Sequence, residues 1–168
     1  FNFSILLHKI GILGIDQKVA RKHLTDINEV FNSCGIEYFL TEGSALGAIR
    51  DGKLIPSDSD IDIGVFDKEA LENCAIPMLV KRGFSVCRRS KQMISVIRNM
   101  LYIDIMFVTS DGYCVDMPCE QMMKFISNKQ IVYMYGLSLW SLGKDYLAFN
   151  YGDDWRIPQF GKKPSKKF

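Results

Sequence analysis

The residues with the clearest capacity for chemistry are the acids of IPSDSDIDIGVF (55–66). Asp58, Asp60 and Asp62 fall at every second position, and Ile61 and Ile63 interleave with the last two. Side chains alternate across a strand, so Asp60 and Asp62 share one face and the isoleucines the other. Their β-carbons would lie roughly 6.5–7 Å apart, which lets both carboxylates converge on one or two cations. The isoleucine face fixes the register, because a one-residue slip would bury the acids. Asp58 has the same parity near the Pro56 turn and is a candidate third or outer participant. Asp104 is a lone charge between Ile103 and Ile105 in LYIDIMF (101–107), and a buried carboxylate without a partner is costly. If that strand lies beside 60–66, Asp104 joins the pair and a hard divalent cation, Mg²⁺ or Mn²⁺, offsets all three. The alternative for Asp104 is a neutralising Arg or Lys, and for the pair a solvent-facing strand start. A calcium loop of the EF-hand type, closing at Glu69, requires glycine at its sixth position, where Ile63 stands.

A second set of residues suits a phosphate. Gly43-Ser44 follows the apolar run IEYFL (36–40) and opens a short helical segment. A helix beginning there aims backbone N–H groups and a positive dipole end at an anion. Gly43 permits close backbone approach, and the Ser44 hydroxyl can cap the helix or donate to a phosphate oxygen. Arg50 and Lys53 follow within ten residues and are candidate neutralising cations. A serine cap and a surface arginine are the plain alternatives. What raises the pattern above them is its order: strand, Gly-Ser, helix, Asp-x-Asp strand, then a later strand with a lone Asp.

The elements that must position these residues are legible from periodicity. Residues 17–34 read as an amphipathic helix, with Ala20, Leu24, Ile27 and Phe31 on one face and Gly35 as its stop. Residues 36–40 and 60–66 read as strands, 41–52 as a turn into a helix ended by Gly52, and 67–83 as a helix that Pro77 must kink or divide. Residues 84–89, 93–98 and 100–108 are successive strand candidates, with a hairpin turn at Gly112 leading to 113–116. Residues 119–127 and about 138–151 read as helix. The sum is one α+β domain covering 1–168, a mixed and largely antiparallel sheet with helices packed on it.

The bulk properties exclude several classes. A 168-residue chain with 48% hydrophobic and 24% charged residues is an ordinary globular domain. A net charge of +2 is too small to argue for nucleic acid or membrane binding, so no nucleic acid is expected as partner, and the basic residues crowd into the tail GKKPSKKF (161–168). No run approaches the length of a membrane span. The chain starts at Phe1 and not at Met, as a processed product or excised domain would. Five cysteines (34, 74, 87, 114, 119) form no CxxC pair, and Cys114 with Cys119 is one conceivable bridge. Asn2-Phe3-Ser4 is a glycosylation sequon. His8 and His23 accompany no acidic constellation and receive no catalytic role.

Gly43-Ser44, Asp60-Ile61-Asp62-Ile63 and Asp104 together resemble the signature of the nucleotidyltransferase fold. YFLTEGSALGAIRDGKLIPSDSDIDIGVF (38–66) resembles more specifically the LicD/fukutin family, and YLAFNYGDDWRIP (146–158) is similar to that family's closing segment. The SDIDIGVF ending is nearer to fukutin-like members than to bacterial phosphocholine transferases. The resemblance implies transfer of a phosphate-linked group, of pentitol phosphate or phosphocholine type, from a CDP-activated donor to a glycan or glycoprotein acceptor. It implies Asp60, Asp62 and Asp104 as metal ligands, and Gly43, Ser44, Arg50 and Lys53 at the donor phosphates. One aspartate, Asp58 included, would take the proton of the attacking hydroxyl. A secretory or Golgi lumen is the implied compartment for a fukutin-like member, and the cytoplasm otherwise. Two other readings stand beside it: a nucleotidyltransferase that deposits NMP on a small molecule or protein, and a non-enzymatic nucleotide or glycan binder. Tyr151, Gly152 and Trp155 are either a helix end with an aromatic plug or a ligand contact.

Overall fold

The computed structural model describes residues 14–108, 113–114 and 117–158. The sequon at Asn2, His8, the Gly112 turn, the Cys114 side chain and the 161–168 tail lie outside the described residues. Helix α1 (Gln17–Ser33) starts where the Asp16 carboxylate accepts the N–H groups of Lys18 and Val19, the standard side-chain cap for orphan donors. It buries Ala20, Leu24, Ile27, Val30 and Phe31, the face set by their three- and four-residue spacing. After Gly35 the chain forms β1 (Tyr38–Leu40), then α2 (Glu42–Asp51), ended by Gly52 in the left-handed conformation, then β2 (Asp60–Val65).

Three helical segments follow without a break: α3 (Lys68–Ala70), a π-helical turn (Leu71–Ala75) and α4 (Ile76–Lys81). Pro77 cannot donate to the carbonyl four residues back, and its ring crowds that carbonyl. The widened turn immediately before it, where the Ile76 N–H reaches Leu71 O, absorbs the misfit. Strands β3 (Ser85–Arg89), β4 (Met93–Arg98) and β5 (Leu101–Phe107) come next. A small ribbon, β6 (Tyr113–Cys114) with β7 (Met117–Pro118), leads into α5 (Cys119–Ser127).

The expected helix over about 138–151 is only half present. Residues Gln130–Met134 (β8) and Leu137–Ser141 (β9) form a hairpin, and helix α6 is Lys144–Tyr151. Tyr135 and Gly136 both take positive φ, +56° and +82°, the conformation that a two-residue hairpin turn requires. Period-two burial confirms the strands: Val132, Met134, Leu139 and Ser141 are buried, while Tyr133 and Trp140 are exposed.

The main sheet has the order β3-β4-β5-β2-β1-β9-β8. It is mixed and mostly antiparallel; β2–β5 and β1–β9 are its parallel pairs. Ile61, Ile63, Ile103 and Ile105 are fully buried, so the apolar faces of the two acid-bearing strands do enter the core. Cys34 and Cys74 form a disulfide that ties the end of α1 to the π-helical turn. Closing a loop of 40 residues stabilises by about 4 kcal/mol on the chain-entropy model. Among the described residues no helix is long and apolar enough to cross a membrane.

His23 is fully buried, and among the described residues neither ring nitrogen has a hydrogen-bond partner. Burial and the nearby Arg98 push its pKa down to about 4, against the opposing pull of Asp26. The folded protein therefore resists taking a proton that the unfolded chain accepts from about pH 6.5 downward. Native stability should fall as pH drops from 6.5 to 4. The His23→Leu variant should lack that part of the loss, as urea unfolding across the pH range would reveal; parallel pH profiles would refute it.

Candidate active site

The site lies where β1 ends, α2 begins and β2 starts. One carboxylate oxygen from each of Asp58, Asp60 and Asp62 lies within 4.8 Å of the others. Asp62 is 8% exposed, and its backbone N–H donates to the buried Ser44 Oγ at 2.8 Å. Ser44 thus pins the first turn of α2 to the acidic strand, a role distinct from the expected cap. Gly43 faces the cluster: a β-carbon there would sit 2.2 Å from Asp58 Oδ2 and 3.7 Å from Asp62 Oδ2. Only glycine lets the helix turn and the Asp58 carboxylate occupy this space together.

The parallel β2–β5 register sets Asp104 directly opposite Asp62, so both project to one face. Arg88 of β3 meets Asp104, Nη2 to Oδ2 at 2.5 Å, so the neutralising arginine weighed for Asp104 is present. Among the described residues, no Lys or Arg forms an ion pair with Asp58, Asp60 or Asp62. The electrostatics record that crowding. Burial first, then Asp58 and Asp104, raise the Asp60 pKa to about 7. Burial and the neighbouring acids Asp60, Asp58 and Glu42 hold Asp62 well above the ordinary carboxylate range. Asp58 is raised as well, mainly by burial. Converging acids without a cation, beside a glycine that makes room for them, fit a divalent metal with oxygen ligands.

Sequence reasoning gave Asp58 a secondary place, yet the structure sets it in the tightest group with Asp60 and Asp62. Among the described residues neither Arg50 nor Lys53 forms an ion pair with Asp58, Asp60 or Asp62. Arg50 sits in the last turn of α2, about 10 Å along the axis from Gly43, where its guanidinium pairs with Asp51 at 2.8 Å, and Lys53 follows the helix.

Two further side chains reach the site: Glu42, which the sequence did not single out, and Tyr151 of the closing segment. Glu42, between Thr41 and Gly43, adopts φ +44°, a conformation that costs a non-glycine residue about 1–2 kcal/mol. Helix α6 holds it there: the Glu42 N–H donates to Tyr146 Oη at 3.3 Å, and Asn150 Nδ2 donates to Glu42 Oε2 at 2.9 Å. Tyr151, at the end of α6, lies close enough to the acids that burial, Glu42, Asp62 and Asp58 together push its phenol up. Trp155 is buried. In the closing segment Tyr146, Asn150 and Trp155 pack and brace, while Tyr151 lies near the carboxylates. For Glu42 the signal the sequence offered was its place directly before Gly43-Ser44; its positive φ has no marker in the sequence.

Comparison with known proteins agrees with this geometry. A lincosamide antibiotic adenylyltransferase, LnuA, has the same fold at TM-score 0.56 and 17% identity, over 83% of this chain and 88% of that one. An uncharacterised protein of Rickettsia prowazekii (strain Madrid E) is 24% identical over 96 residues, 49% of this chain and 36% of that protein. The ribitol 5-phosphate transferase FKRP of Homo sapiens is 44% identical over 45 residues, 27% of this chain and 9% of that protein. The chain thus spans about a third of the first relative's length and about a tenth of the second's. Residues 35–136 match the LicD/FKTN/FKRP nucleotidyltransferase domain, a stretch that holds Gly43, Ser44, all four aspartates and Arg88. The chain belongs to the LicD/FKTN/FKRP family, and its fold is that of the nucleotidyltransferases.

Proposed function

We propose that this domain transfers a phosphate-linked group, of pentitol phosphate or phosphocholine type, from a CDP-activated donor to a glycan acceptor. The observation that carries the reading is the convergence of Asp58, Asp60 and Asp62 beside Gly43, with Asp104 in register on the adjoining strand. Asp60, Asp62 and Asp104, with Asp58 closing the set, would hold Mg²⁺ or Mn²⁺, which neutralises the donor diphosphate and the charge of the departing CMP. Gly43 and the first turn of α2 present backbone N–H groups to a donor phosphate. Ser44 keeps that turn fixed on β2. One of the aspartates, Asp58 included, is the candidate base for the acceptor hydroxyl. FKRP, a ribitol 5-phosphate transferase by name, supports the donor class through its local match. The Cys34–Cys74 disulfide supports an oxidising compartment such as the secretory lumen.

A second reading, transfer of NMP to a small molecule or protein, is favoured by the likeness to LnuA, an adenylyltransferase. Product analysis separates the two. Incubation with CDP-ribitol or CDP-choline, Mn²⁺ and a glycan panel should release CMP and add a phosphate-linked group to the glycan. Pyrophosphate release from CTP or ATP with a nucleotidylated acceptor would overturn the first reading.

A further inference from the structure

Arg88 belongs to no motif, and the sheet takes an irregularity to bring it to the site. β3 pairs with β4 regularly through Val86 opposite Val96, and the ladder then shifts so that Arg88, in place of Cys87, stands opposite Ser95. A bulge of this kind moves a side chain from one face to the other. Ser95 stands opposite Asp104, and Asp104 opposite Asp62. Residues from four adjacent strands thus form one row on the face that carries the acids.

Within that row Arg88 Nε donates to Ser95 Oγ at 2.8 Å, and Nη2 donates to Asp104 Oδ2. Ser95 is buried, at 1% exposed, while the Arg88 side chain is 49% exposed. A half-exposed ion pair adds little stability, so stabilisation alone is a weak reason for a bulge and a buried anchor. The anchor fixes one edge of the guanidinium and leaves its Nη groups at the rim of the acidic cluster. Among the described residues it is the cation paired with Asp104, the acid that stands in register with Asp62.

We infer that Arg88 is a diphosphate-binding residue: it holds Asp104 in the ligand-free protein and turns to substrate phosphate when a divalent cation takes that carboxylate. The inference rests on the metal-and-diphosphate reading proposed above. A planar guanidinium fork matches two phosphate oxygens, and it is already placed beside the site of the incoming cation. Charge balance favours the exchange, because the arriving cation repels Arg88 while the arriving diphosphate attracts it.

Calorimetric titration of the native chain, Arg88→Gln and Arg88→Lys tests this with Mn²⁺ alone, Mn²⁺-pyrophosphate, Mn²⁺-CDP and cytidine. In Arg88→Gln, Mn²⁺ alone should bind several-fold tighter, because a competing positive charge is gone. Both diphosphates should bind about tenfold weaker or worse, and cytidine should be unchanged. Arg88→Lys should keep native Mn²⁺ affinity but recover only part of the diphosphate affinity, since charge returns without the fork. A purely structural role would not move these ligands in opposite directions. Unchanged diphosphate affinity in Arg88→Gln, or weaker Mn²⁺ binding, overturns the inference. Loss of CDP binding to the native chain with Arg88-dependent pyrophosphate binding retained would remove the cytidine donor and leave Arg88 standing. CDP binding equal in all three proteins would remove Arg88 and leave the donor standing.

Discussion

Replacing Asp62 by Asn is expected to lower turnover about 10³-fold or more and to leave the folded protein at least as stable as before. The first half follows from position. Asp62 is the most buried member of the cluster, it faces Asp104 in register, and metal ions contribute several kcal/mol to transfers of this kind, each 1.36 kcal/mol being tenfold in rate. The second half follows from repulsion. Burial and like charges raise the Asp62 pKa, so ionising it in the fold opposes stability, whereas Asn has nearly the same shape and no charge. Thermal unfolding in EDTA should give a melting temperature equal to or above native. Added Mn²⁺ should stabilise the native chain and do so much less in the variant. Asp104→Ala should likewise lose turnover. Full activity in either variant would sink the metal-ligand assignment, and a fall in the EDTA melting temperature of Asp62→Asn would refute the repulsion.

Gly43→Ala should weaken Mn²⁺ binding about 10–100-fold, the range seen when groups that orient metal ligands are disturbed. The added methyl would land 2.2 Å from Asp58 Oδ2, so either that carboxylate swings out or the start of α2 retreats from β2. The helix tolerates alanine well, so circular dichroism should match the native protein. Asp58→Asn should show a defect of similar size. The double variant should be little worse than either single one, because both changes remove the same contact. If Gly43→Ala keeps native metal affinity and turnover, Asp58 is not part of the working site.

Much of this was legible because the informative residues obey strict periodicities. Alternation in DIDIGV forced Asp60 and Asp62 to one face, and the buried isoleucines confirm it. Asp104 was readable as the one charge in an apolar strand. Pro77 announced the helix disruption, though a π-helical turn was one of several ways to accommodate it. Residues 138–141 misled because LSLWS lies only two residues, Leu142 and Gly143, before KDYLAFNY, and its apolar residues fit a helix as well as a strand; the Tyr135-Gly136 turn was the missed cue. Arg88 could not be found, since a bulge shifts parity without a marker in the sequence. Arg50 lies in the last turn of α2, carried along the axis from Gly43, a separation that closeness in the sequence does not reveal.

The parallel pairing of β2 with β5 also has a consequence for the order of assembly. Its two acid-bearing strands are separated by the whole α3–α4 helical stretch and the β3–β4 hairpin. Such long-range pairing forms late and slowly, so no short fragment of the chain contains the complete carboxylate set. A divalent ion should therefore slow global unfolding far more than it speeds folding, and act as a lock on the finished sheet rather than as its nucleus.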